Sequence, residues 1–511
     1  MNSRLKQTIL CVLAVVLLIC ASFVQKSLNR DRDRLGLTRV PPLENAPPVL
    51  AFTTVALGGF RGLISNALWM RASDLQEEDK FFEMAQLADW ITKLEPHFVQ
   101  VWLVQAWNMA YNISVKFKDA SDRWRWVNGG IKLLRDDGLR YNPNEMLIYR
   151  ELAWFFQHKL GANLDDANLY YKQEWSKEMA AVFAKKEPNL DELINPVTED
   201  QKARAKLLRE VYKMDPAEMK AVDQQYGPLE WRLPEAHSIY WAVLGLKAAK
   251  LNPTKIKEDD LITLRRVIYQ SMQLSFQRGR LVKNPFVQAF EFGPNLDIIP
   301  KVSAAYEEAA KEDPNNHDHI LRAHRNFLRD AVYFLYSHNR LGESARWFKY
   351  LGEKYPDKTI LDYDTNSYPR NLTLDQYAVR RVQEDVTETS PDRVKAAMEG
   401  LIVNSLSSLI IDEEDRAAGY RLLARRVFEA YQKRIGDAPE TARRIPIPSV
   451  DEMEKEIVQR MLDPEKGLPP EARAVLRSKL GLPAATEEPP KTSGTNAPPV
   501  MPTVSTNAPK A

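Results

Sequence analysis

The chain has 511 residues, with 71 Lys and Arg against 69 Asp and Glu, so its net charge of +2 gives no long-range field drawing the whole molecule to nucleic acid. Glycine is scarce, at 20 residues, and charged residues make up 27 %, which argues against turn-dense β-sandwiches and for an all-α body of helices with solvated outer faces. Both cysteines, Cys11 and Cys20, fall in the N-terminal segment, which leaves the body without a disulfide or a thiolate metal site.

The run Thr8 to Val24, TILCVLAVVLLICASFV, is apolar over 17 residues and follows Arg4 and Lys6. Segments of roughly 17 to 25 such residues span a bilayer, so residues 1–24 read as a transmembrane anchor; the competing reading is a cleaved signal sequence ending near Cys20 and Ser22. Ile19 stands where a lipoprotein signal needs a small residue, which disfavours lipid attachment at Cys20. Lys26, Arg30, Arg32 and Arg34 beyond the run oppose export, whereas the short basic head favours it and Asp31 and Asp33 suggest a solvated stalk. The expectation is a single-pass membrane protein with its body outside the cytoplasm, in the periplasm.

Residues 25–48 end in VPPLENAPP, whose prolines lack amide donors and read as a stalk. Val49 to Phe60 is apolar but only 12 residues long, too short to span, and reads as a buried or interfacial segment. From residue 62 the spacing predicts helices over 62–77, 80–94, 97–113, 121–140, 144–160 and 165–184, separated by breaks at Pro, Asn, Asp and Gly. Residues 185–233 are polar and lysine-rich, composed as an insertion or joint. Helices resume over 234–251, 258–281, 298–312, 317–338 and 341–354, and a terminal group covers 373–385, 391–411, 413–435, 449–462 and 469–480. No strands are expected. The end, 484–511, repeats TNAP and has almost no large apolar residue, so it reads as a disordered tail.

Several helices repeat one device, a small residue flanked by bulky apolar ones on a single face. Trp102, Ala106 and Met109 show it; so do Tyr149, Leu152, Ala153 and Phe156, then Trp241, Leu244, Gly245 and Ala248, then Phe327, Ala331 and Phe334. A small residue at mid-face lets a neighbouring helix approach closely. These runs resemble the first helix of a tetratricopeptide repeat (TPR), W-x2-L-G-x2-Y. Tyr306, Ala309 and Pro314 match the second-helix half, Pro96, Pro143 and Pro356 close other hairpins, and Ala345 takes the small-residue slot of one more second helix. The resemblance covers 62–184 and 234–356 and is degenerate, since Pro96 to Pro143 is 47 residues and Pro314 to Pro356 is 42, against about 34 in the family. It implies an irregular α-solenoid of helical hairpins. Eight of the eleven tryptophans lie between Trp69 and Trp175, which points to a bulky packed core rather than a cofactor box.

No H-E-x-x-H helix, G-x-S-x-G elbow, G-x-x-x-x-G-K-S/T loop or G-x-G-x-x-G turn occurs. His317, Asp318, His319 and His324 have no zinc spacing and read as helix-start capping and solvated histidines. Asp362, Asp364 and Asn366 open a calcium-loop pattern that fails at Ser367, Pro369 and Thr373, so they read as caps of local backbone. The basic and aromatic segment from Arg123 to Trp126 reads as a helix face with buried Trp and exposed Arg rather than as a base-stacking surface. The expectation is therefore no catalytic residue, metal, cofactor or nucleic acid.

By its resemblance the chain would be a membrane-anchored scaffold in a bacterial-type cell envelope, holding a protein or peptide partner on the concave surface of its first helices. The family's groove-facing positions fall on Asn66, Trp107, Tyr111, Arg150, Trp154 and Gln157. Two alternatives stand beside it: an exported helical enzyme acting on cell-wall glycan, marked by an acidic cleft with a carboxylate of raised pKa, and a structural component of an envelope assembly, marked by an exposed apolar patch at Leu401 to Ile411.

Overall fold

The computed structural model describes residues 61–183, 188–251, 257–283, 290–362, 364–384, 391–436, 447–464 and 467–483, with scattered positions between Val16 and Asp31. The stalk prolines, the run Val49–Phe60 and the tail from 484 lie outside the described residues, as does much of the run Thr8–Val24. Val16, Leu17, Ile19, Phe23 and Val24 of that run are described; they are helical and exposed. Among the described residues no helix is long and apolar enough to cross a membrane.

The described chain is predominantly helical, and its contacts divide it into two compact units, Met1–Ile148 and Tyr149–Ala511. In the first unit, α1 (Arg61–Glu77) pairs with α2 (Phe81–Leu94) around Ala72, Leu75, Phe81, Met84 and Ile113. Asp79 makes the tight turn between them in the left-handed region, φ 58. Pro96 then stops the chain, as its missing amide and crowding of the preceding residue dictate. The carbonyl of Pro96 accepts from Trp102 Nε1 at 2.9 Å and from Asn142 Nδ2 at 2.8 Å, fastening two successive turns together. α3 (Val99–Trp107) widens into a π-helical turn, Asn108–Ile113, and tightens into a 3₁₀ turn, Ser114–Lys116. α4 (Ala120–Lys132) also widens, over Leu133–Gly138.

α5 (Met146–Trp154) runs into a third π turn, Phe155–Gly161. α6 (Asn168–Val182) follows. The polar stretch after it forms three short helices, α7 (Asp191–Ile194), α8 (Glu199–Glu210) and α9 (Pro216–Tyr226). They are set by a Thr198/Gln201 capping box and an Asp215 N-cap, and they bury Leu193, Ala205, Leu208, Met219 and Val222. α10 (Pro234–Leu251) is buried at every position from Pro234 to Ala242 and packs against α11 (Glu258–Arg278).

The helix expected to continue to 281 stops at Arg278, and two strands follow where none were expected. β1 (Arg280–Lys283) pairs antiparallel with β2 (Phe290–Gly293), in the register Arg280 to Gly293 and Lys283 to Phe290. Both strands are four residues long, too short to leave a period-2 signature in the sequence.

α12 (Ile299–Glu312), α13 (His317–Ser337) and α14 (Leu341–Lys354) come next. On α14 the close approach to α13 is made by Ser344, whose hydroxyl donates to the Val332 carbonyl at 2.8 Å; Ala345, expected in that slot, is exposed one position further round the helix. A loop leads to α15 (Leu374–Glu384), α16 (Pro391–Ile410), α17 (Glu414–Gly436), α18 (Val450–Met461) and α19 (Pro470–Lys479), which share one core. Leu401, Ile402, Leu406 and Ile410 lie inside that core, so the stretch Leu401–Ile411 is packing rather than an exposed patch; Val403 is its one exposed large apolar side chain.

Candidate functional site

The six positions drawn from the family resemblance divide between the units. In the first, Asn66 is exposed on α1, and Trp107, 41 % exposed, stacks on Tyr111 with ring centres 5.4 Å apart. In the second, Arg150 donates to Asp260 Oδ1 on α11 in a partly buried ion pair. Trp154 is half-buried and stacks on His158 at 4.6 Å. Gln157 is buried against α11, its amide donating to Gln270 Oε1 at 3.1 Å. The structure thus brings together Trp107 with Tyr111, and Trp154 with His158, whereas Arg150 and Gln157 are engaged in packing α5 on α11.

The two Trp ledges are built alike. α3 and α5 start 47 residues apart, at Val99 and Met146; their tryptophans, 107 and 154, are 47 apart; and their π turns begin 47 apart, at Asn108 and Phe155. The closing prolines 96 and 143, the tight-packing residues Ala106 and Ala153, and the aromatic pair Trp102 and Tyr149 keep the same interval. In each copy the ring four residues on stacks on the tryptophan, Tyr111 on Trp107, which is 41 % exposed, and His158 on Trp154, which is half-buried.

A groove of about 690 Å³ lies within the second unit between α10, α11 and α12. Its floor is Leu246, Ala249, Leu261, Ile268, Ala305 and Ala309, and its rim carries Glu258, Glu308 and Glu312 with Lys250 and Arg265. Arg265 pairs with Glu312 at 2.8 Å. The alanines create the hollow, because larger side chains at those positions would fill it. Sequence reasoning missed these residues; the signal was three alanines facing bulkier neighbours across adjacent helices. A second, polar hollow of about 330 Å³ is lined by Arg280, Asp297, His338, Arg340 and the first turn of α17.

Burial lowers His338, in the polar hollow, to about 4, and raises Tyr226 and Tyr269 beside the groove. Burial raises Glu151 to about 7, with Arg150 opposing, yet Glu151 lines neither hollow. Burial lowers Lys172 to about 7; Arg278 adds to this and Glu235 opposes it. Its ammonium reaches Asn168 Oδ1 at 2.9 Å, Asn163 Oδ1 at 3.2 Å and the Ala162 carbonyl at 3.4 Å, pinning the loop that follows the third π turn. Asn163 Oδ1 also accepts from Arg278 at 2.6 Å, and Arg278 reaches Glu235 Oε1 at 3.1 Å, so these groups form one network running from the buried Lys172 and Glu235 to the exposed Asn163.

His324 was expected among solvated histidines but is fully buried, with its ring nitrogens 2.9 Å from Ser303 Oγ and 2.9 Å from Tyr355 OH. His317 bonds the Ala310 carbonyl at 2.8 Å. Among the described residues no group of His, Cys, Asp or Glu is placed to hold a metal. Asp364 caps local backbone, accepting from the Asn366 amide at 2.9 Å, but Asp362 reaches back to α13 and pairs with Arg329 at 2.8 Å. Trp124 is buried and Arg125 exposed on α4.

Compared with known proteins, the chain matches no family model, no curated protein and no solved structure.

Proposed function

We propose that this chain is a membrane-tethered scaffold of degenerate TPR-like helical hairpins, held in a bacterial-type envelope by residues 8–24, whose body binds a protein or peptide partner. The observation that carries the reading is the 47-residue recurrence, in which helix start, small packing residue, stacked tryptophan and π turn all return at one interval. A repeated unit that places a partly exposed tryptophan at the same position each time has the character of a recognition surface, since aromatic anchors are enriched at interfaces. The groove between α10, α11 and α12 offers a further seat, at about 690 Å³ within the size range of ligand-sized clefts. The hairpins would stack serially as an irregular solenoid.

A photo-crosslinking amino acid in place of Trp107 in the producing cells tests this, with the same group in place of the exposed Lys349 as control. A discrete polypeptide adduct at 107 that is absent at 349 and reduced at least tenfold by Tyr111→Ala supports the scaffold. Identical adduct patterns at the two positions refute it.

A further inference from the structure

The first unit carries an aromatic and basic edge that the scaffold reading does not use. Phe82 on α2 is 50 % exposed and meets Trp126 edge-on, with ring centres 5.7 Å apart, and Phe117 edge-on at 6.3 Å. Phe117 and Trp126 are partly exposed and lie nearly parallel at 6.3 Å. Lys116 and Lys118 bracket Phe117; both are exposed, and neither forms an ion pair among the described residues, Lys116 resting over the Phe81 ring. Arg125 projects beside Trp126, close to Asp122 at 3.4 Å, and Arg123 donates to the Phe117 carbonyl at 2.8 Å. Between residues 116 and 126 four cations stand against two acids, on a chain that is otherwise nearly neutral.

We propose that this edge is a membrane-contact surface for anionic phospholipid: Lys116 and Lys118 take the headgroup charge while Phe82, Phe117 and Trp126 seat at the boundary between headgroups and acyl chains. Amphipathic rings settle at that depth, and lysines beside an anionic leaflet gain from its surface potential. Charge complementarity favours an anionic surface over a neutral one. The proposal rests on the membrane-tether reading, in which 36 residues, about 120 Å at full extension, join Val24 to the start of α1.

The full chain, reconstituted in nanodiscs of phosphatidylcholine with one quarter phosphatidylglycerol, carries p-benzoylphenylalanine in place of Phe82. The expected result is a lipid adduct at 82 that falls about tenfold or more in phosphatidylcholine-only discs and with Lys116→Gln plus Lys118→Gln, and that is absent when the crosslinker replaces Lys349. Resistance of the chain to alkaline extraction is read in parallel and reports on the tether alone. Extraction resistance without the adduct overturns the contact surface; an adduct on a chain that alkali extracts leaves the surface standing and removes the tether; loss of both overturns both. Abolition of the adduct by equimolar single-stranded oligonucleotide or polyglutamate reassigns the edge to that class and overturns the lipid proposal.

Discussion

His324 ties the protein's stability to pH. Burial lowers its pKa from 6.5 to about 4, with Glu307 opposing and Lys354 adding to the effect, while the unfolded chain keeps the ordinary value. Between these values the unfolded state binds the proton and the folded state does not, so the contribution is fully present above pH 6.5 and is lost as pH falls toward 4. At pH 4.5 a gap of this size makes the folded state about 2.5 kcal/mol less stable than at pH 7.5 through this one group. His324→Gln keeps a donor and an acceptor for Ser303 and Tyr355 but cannot titrate. Urea unfolding of both proteins from pH 7.5 to 4.5 isolates the effect: carboxylates and His338 titrate in both, so the wild type should lose about 2.5 kcal/mol more than the variant. Parallel stability curves would refute the reasoning, and with it the burial of an uncharged imidazole between α12, α13 and Tyr355.

A β-carbon at Gly419 would collide with the Ser337 carbonyl oxygen and come within 2.8 Å of the Asn339 amide, so Gly419→Ala should cost about 3 kcal/mol by pushing α17 off the end of α13. Gly400, with nothing within 4 Å, should instead gain roughly 0.5–1 kcal/mol as alanine; thermal melts of the pair check both signs. Lys172, lowered to about 7 by burial, penalises the folded state in full below pH 7 and less as pH rises toward the unfolded value. Relative to Lys172→Met, the wild type should therefore gain about 3 kcal/mol of stability between pH 7 and 9.5, measured by urea midpoints.

Helix ends were legible wherever proline or a turn residue forced them. α14 was expected over 341–354 and runs Leu341–Lys354; α12 and α13 agree to one residue. What the sequence hid was helical phase. A residue added within a turn rotates everything beyond it by about 100°, and the π turns carry no compositional mark. Arg150 and Gln157 both engage α11, and His158, four residues on, stacks on the Trp154 indole, so the face expected to line a groove is taken up by packing. Phase also separates Ser344 from Ala345, since both are small and only the packing selects one. The joint at 185–233 read as polar because its buried residues are few per helix, and the groove was invisible because a hollow is made by side chains that are missing rather than present.

Three swollen turns, at Asn108, Leu133 and Phe155, also bear on how this chain tolerates changes in length. A helix held at both ends can accommodate one surplus amino acid only by bulging, and removing that surplus restores ordinary winding without dislodging either end. Single-codon deletions inside those bulges should therefore be absorbed, whereas the same deletion in the regular part of α13 would twist the helix end away from its neighbours and unseat them.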